Sequence, residues 1–216
     1  MKRVPRKPPA ESGEFIWLVS LSDLMILLFI LFVVLFSASY KKMKQSDFAK
    51  VAASLRNEAP KQDPIEKVRN DLSKWVEEHK LQEKVAVELK DDAVLLQIKD
   101  RLLFSSGDAA ILPAGISTVR SLGQTLATVP GDYKIGIEGH TDDIPIHTRE
   151  IDDNWDLSSK RAMAVMKALN MDPALLKRTV LMAYGEMKPL VPNRDASGKP
   201  IPENQNRNRR VTLRIF

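Results

Sequence analysis

One carboxylate stands where acidity is expensive. Between Phe15 and Tyr40 the chain reads FIWLVSLSDLMILLFILFVVLFSASY, and Asp23 is the only charged residue among those 26. Roughly 20 apolar residues in a helix cross a hydrocarbon core about 30 Å thick. A carboxylate deep in such a helix costs on the order of 3 kcal/mol. Two chemistries accept that cost: a hydrogen bond from helix to helix, or an ion carried past the group. Trp17, six residues earlier and so about 9 Å along the axis, sits where an aromatic meets the membrane interface. Ser20 and Ser22 add polarity at the depth of Asp23, whereas Leu24 to Phe36 are uniformly apolar. A lone helix cannot shield Asp23 from lipid. It calls for partner helices.

A second set is denser. His140, Thr141, Asp142, Asp143, His147, Asp152, Asp153, Asp156 and Arg161 fall within 22 residues. Ser158 reads as an N-cap, with Leu157 and Ala162 as a weak hydrophobic staple. That places Arg161 at the third helical position, where a cation opposes the helix dipole. Beside free helix-end amides it would make a carboxylate receptor. Asp142 is its acidic counterpart, able to pair with Arg161 or to take a ligand ammonium. The alternative is an internal Asp142–Arg161 salt bridge. His140, Asp142, Asp143 and His147 are also metal-ligating types, but neighbours on an extended strand point in opposite directions. With no HExxH, phosphate-cradling loop or nucleophile elbow, the sequence points away from an enzyme.

The elements that position these residues follow from periodicity. Residues 1–14, basic with three prolines, read as a tail. The apolar run from 15 to 40 is far longer than the 7–15 residues of a signal-peptide core, despite the small residues Ser37-Ala38-Ser39, so it reads as an uncleaved anchor. Basic residues flank both ends of the span and leave its orientation open. Residues 41–64 form a linker in which Phe48, Val51, Ala52 and Leu55 share one helical stripe. From 65 on, Ile65, Val68, Leu72, Trp75, Val76 and His79 mark a helix leading into the domain. The period then falls to two. Val85, Val87 and Leu89, the turn Asp91-Asp92, and Val94, Leu96 and Ile98 make a hairpin. Pro113 opens a helix with Ile116, Val119, Leu122 and Leu126 on its stripe. A strand through Ile135 and Ile137, a helix to Leu169, a strand Thr179–Tyr184, a polar loop and a last strand with Val211, Leu213 and Ile215 inward complete the domain. This alternation predicts an α+β fold, one mixed sheet with helices packed on one face.

Composition narrows the partners. Without cysteine, no disulfide, thiol or zinc-thiolate chemistry is available. The net charge of +5 does not come with interleaved aromatics, which argues against nucleic acid and for lipid headgroups or an anionic wall polymer.

GHTD (Gly139–Asp142), NWDLSSKRA (Asn154–Ala162), YGEMKP (Tyr184–Pro189) and NRRVTLRI (Asn208–Ile215) together resemble the OmpA-like peptidoglycan-binding domain. WLVSLSDLM at the head of the anchor resembles the flagellar stator family of MotB and its sodium-type relative PomB. The resemblance implies that Asp23 takes up and releases the driving ion, H⁺ or Na⁺, with no other cofactor. It implies that Asp142 and Arg161 hold the zwitterionic diaminopimelate group of a peptidoglycan stem, with Thr141, Leu157 and Arg209 lining the site. Gln205 stands where many members have Arg and is left outside it. The stretch carrying Phe48, Val51, Ala52 and Leu55 would be the plug. The topology implied is a single-pass protein of the bacterial inner membrane, N-terminus cytoplasmic and residues 65–216 periplasmic. Its implied partners are a ring of A-type stator subunits, through which it meets the rotor, and a second copy of itself. Two departures are a short Lys41–Lys84 segment and an end directly after the last strand. The same anchor and domain also occur in Zorya-type antiphage complexes, and a passive tether from membrane to wall would need the domain alone.

Overall fold

The structure, a computed structural model, describes residues 12–40 and 63–216, in two units that divide between Lys61 and Gln62. The tail up to Glu11 and the plug stripe of Phe48, Val51, Ala52 and Leu55 lie outside the described residues. The first unit contributes one helix, α1 (Ser12–Tyr40). Its stretch Trp17–Ser37 is long and apolar enough to cross a membrane, and every side chain in it, Asp23 included, is exposed.

The second unit opens with α2 (Pro64–Glu78). Asp63 caps it by accepting from Ile65 N at 3.1 Å, and Pro64 takes the first helical position, where its missing N–H costs nothing. Of the predicted stripe, Ile65, Val68, Leu72, Trp75 and Val76 are buried, whereas His79 follows the helix as its C-cap and is exposed. Trp75 Nε1 donates to Ser121 Oγ at 2.9 Å, which ties this leading helix to the domain.

The hairpin is as expected: β1 (Val85–Lys90) and β2 (Ala93–Lys99) pair antiparallel. Asp91 and Asp92 both adopt positive φ, 50° and 59°. Two left-handed residues in a row suit the twist of a tight hairpin. Four residues then coil into α3 (Asp100–Leu103), followed by α4 (Pro113–Leu126), β3 (Ile135–His140), α5 (Asn154–Leu169), α6 (Pro173–Lys177), β4 (Thr179–Gly185), α7 (Pro202–Asn208) and β5 (Arg210–Ile215). The sequence reading missed α3, α6 and α7. Each is at most seven residues, too short to show a helical stripe, and α7 lies in a stretch read as polar loop.

The sheet order is β1-β2-β5-β3-β4, antiparallel throughout except for β3 beside β4. That one parallel pair is joined through α5, the crossover that parallel strands require. Val94, Leu96, Ile98, Ile135, Ile137, Val211, Leu213 and Ile215 are buried against Leu72, Val119, Leu122, Leu126, Val165 and Leu169. The helices therefore share one face of a mixed sheet, the α+β arrangement expected. Gly139 makes the closest approach: a Cβ there would meet Ser158 O at 2.0 Å, so α5 lies directly on β3.

Candidate binding site

Strand register builds the site. Lys99 of β2 pairs with Arg210 of β5, and Arg210 pairs with His140 of β3. Asp100, Arg209 and Thr141, each the next residue outward, therefore meet at one end of the sheet. Asp100 N donates to Arg209 O at 3.2 Å, and Thr141 N to Gly185 O at 2.8 Å. Above them opens a cavity of about 220 Å³. The loops at 106–107 and 141–146, the first turns of α5 and Arg209 line it.

Arg161 is not where the sequence reading placed it. Asp153, not Ser158, caps α5, accepting from Asp156 N at 2.8 Å. The Asp156 side chain in turn accepts from Asp152 N at 3.1 Å, which holds the residue before the cap against the first turn. Arg161 therefore sits two turns inside the helix, away from its free amides. Ser158 Oγ instead donates to Trp155 O and accepts from Gly185 N, joining α5 to the end of β4.

The guanidinium of Arg161 is fully buried and held on several sides. Nε donates to Asp108 O at 2.9 Å, Nη1 to Asp100 Oδ2 at 3.3 Å, and Nη2 to Ser105 O at 3.4 Å. The Phe104 ring packs beneath it, 5.0 Å from centroid to Cζ. Three of its five donors are thus committed, and the residue also lines the cavity.

Asp142, also buried, does not pair with Arg161. Its Oδ1 accepts from Ile144 N at 3.2 Å and its Oδ2 from Arg209 Nη1. Arg209 Nε lies 3.5 Å from Asp100 Oδ2. Asp142, Arg209, Asp100 and Arg161 thus form a chain of alternating charge whose two ends line one cavity. Thr141, its Oγ1 bonded to Asp142 O, and Leu157 line it as well. All five residues named from the resemblance for this site come together there.

Sequence reasoning missed Asp100. It lies 61 residues from Arg161, and only the strand register brings them together. Burial raises its carboxyl above the usual range, while the guanidiniums of Arg161 and then Arg209 oppose that shift. Burial likewise lowers Arg161, against the pull of Asp100. Desolvation outweighing attraction on both partners is what a buried ion pair predicts.

The residues considered as metal ligands disperse. Asp143 accepts from Gln205 Nε2 at 2.8 Å and Arg194 Nε at 2.5 Å. His147 Nδ1 lies 3.1 Å from Asp152 O. His140 turns to the sheet face away from the helices and stacks on Tyr184, centroids 5.2 Å apart. Among the described residues no three metal-ligating groups converge.

A five-stranded mixed sheet with this charged cavity at one end is the architecture of an OmpA-like domain, and residues 103–203 match the OmpA family. Residues 1–58 match a second family, described as membrane MotB of the proton-channel complex MotA/MotB. The chain is thus similar to MotB-family OmpA-like proteins at both of its ends. Motility protein B of Bacillus subtilis is 32% identical over 159 residues, 73% of this chain and 58% of that relative's length. The crystal structure of a putative MotB-like protein from Desulfovibrio vulgaris superposes with a TM-score of 0.60 at 24% identity, covering 70% of this chain and 92% of that one. The cell wall anchor of the T6SS from Pseudomonas aeruginosa superposes at 0.57 and 26% identity, covering 67% and 96%. These two share the fold.

Proposed function

We propose that the chain is the B-type subunit of a flagellar stator, which holds an ion-driven complex to peptidoglycan while ions pass Asp23. The observation that carries the wall-binding half is the cavity with a carboxylate at one end and a guanidinium at the other. Each is fixed by its own partner, so neither needs to break a mutual bond to accept a ligand. A diaminopimelate side chain fits that polarity: its carboxylate takes the two remaining donors of Arg161, and its ammonium approaches Asp142. Such charge-assisted contacts are the strong ones. Arg209 holds Asp142 in place, and Leu157 supplies an apolar wall.

The ion-carrying half rests on Asp23 within α1. Binding and release of H⁺ or Na⁺ there alternates the charge seen by a surrounding ring of A-type subunits. Two copies of the chain supply the paired anchor helices, with N-termini cytoplasmic and domains periplasmic, and the rotor is contacted through the A-type subunits. Similarity to the two matched families supports this arrangement.

The wall site is tested with the full-length chain in detergent, pulled down on purified peptidoglycan. Asp142→Asn keeps the shape of the carboxylate and can still accept from Ile144 N, but removes the charge. It should lower retention at least tenfold at unchanged thermal stability. A folded Asn variant that binds like the wild type would remove this site from the account.

A further inference from the structure

Asp100 does not line the cavity, yet it is the group on which the charge balance of the cavity turns. The chain Asp142–Arg209–Asp100–Arg161 holds two carboxylates and two guanidiniums, whose charges cancel one another. The other acids nearby are already engaged. Asp143 is paired with Arg194 at 2.5 Å, and Asp108 Oδ1 accepts from Ala110 N in its own loop. Asp100 Oδ2 is placed between the two guanidiniums, 3.3 Å from Arg161 Nη1 and 3.5 Å from Arg209 Nε. Without its charge, the buried Arg161 and the half-buried Arg209 would face one carboxylate, and the cavity would become a receptor for anions. With it, Asp100 offsets one of the two guanidiniums that line the cavity, so that Asp142 and the other remain as one negative and one positive group. A ligand carrying an ammonium and a carboxylate then closes the alternation.

We infer that Asp100 is a positioning residue that sets the charge class of ligand the cavity accepts, favouring a zwitterion over a plain carboxylate. This rests on the wall-binding reading above, and the test separates the two. The probes are meso-diaminopimelate and pimelate, the same dicarboxylic carbon chain without its amines. Both are titrated calorimetrically into the full-length chain in detergent.

The wild type should prefer diaminopimelate by at least tenfold. In Asp100→Asn that preference should shrink at least tenfold, with pimelate held as well as before or better, whereas Asp100→Glu should retain the preference. Arg209→Gln shifts the balance the other way and should widen it. The double variant Asp100→Asn with Arg209→Gln is again neutral and should recover a preference for the zwitterion. If Asp100→Asn does not fold, Arg209→Gln and the double variant still decide the matter. A purely structural Asp100 would weaken both probes by the same factor and leave the ratio unchanged in every folded variant, which overturns the inference. A wild type that binds neither probe overturns the wall-binding reading and this inference with it.

Discussion

His140, next to the site, makes the stability of the domain depend on pH. It immediately precedes Thr141 and Asp142, it is 2% exposed, and Glu138 Oε2 lies 3.4 Å from its Nε2. Burial pushes the imidazole below its ordinary value. Glu138 opposes the shift, while Arg210 and Lys188 add to it. The folded protein therefore holds this proton less tightly than the unfolded chain does. The sign follows by linkage: the contribution to stability is complete above about pH 6.5 and is lost as the pH falls through the lower folded value. Urea unfolding at about pH 7.5 and about pH 5.5 should show the wild type losing stability on acidification. His140→Gln should lose less over the same interval. Equal losses would mean that other groups carry the slope.

At the scale of elements, the site depends on how closely α5 lies on β3. Gly139 permits that approach, since any Cβ would meet the backbone of Ser158 at 2.0 Å. Backbone cannot step aside as the end of a flexible side chain can. Gly139→Ala must therefore push α5 off the sheet or strain both elements, at a cost of about 1–3 kcal/mol for overpacking. The same shift separates Arg161, carried by α5, from Asp100, which opens α3 directly after β2. The variant should lower the denaturation midpoint and reduce retention on peptidoglycan by more than a matched surface substitution such as Ser159→Ala. A Gly139→Ala protein with wild-type stability and binding would show that the helix is free to slide.

Across the whole molecule, charge is divided unevenly. Acidic and basic residues balance over 62–216, so the +5 excess belongs entirely to residues 1–61, the part around the membrane. Within that part, Asp23 and the stripe of Phe48, Val51, Ala52 and Leu55 are assigned ion carriage and ion blocking on sequence grounds. The two assignments are tested together. Deleting Ser46–Leu55, in cells that also make the A-type partner, should let ions into the cytoplasm and slow growth. Adding Asp23→Asn should suppress that leak and, in the undeleted chain, abolish swimming while leaving membrane insertion intact. Normal growth of the deletion strain, with the complex shown to assemble, would reduce the stripe to an interfacial helix.

What was legible in the sequence is what short-range physics decides. The apolar run over 15–40, the buried stripe Ile65–Val76, the alternation on either side of Asp91-Asp92 and the proline at the start of α4 each follow from neighbours a few residues apart. Motifs such as GHTD and NWDLSSKRA located the site before any coordinates did. The partners inside the site were a different matter. The cap of α5 is Asp153, which accepts from Asp156 N, whereas the local pattern points to Ser158. Asp142 and Arg161 lie in one dense stretch, which leaves a mutual salt bridge open, yet each is held by a residue far along the chain. Asp100 and Arg209 reach them only because β2, β5 and β3 lie side by side in a register that aligns Lys99, Arg210 and His140. Strand order and register are settled by packing the whole sheet against its helices, and a buried charge takes whichever counter-charge that packing brings within reach.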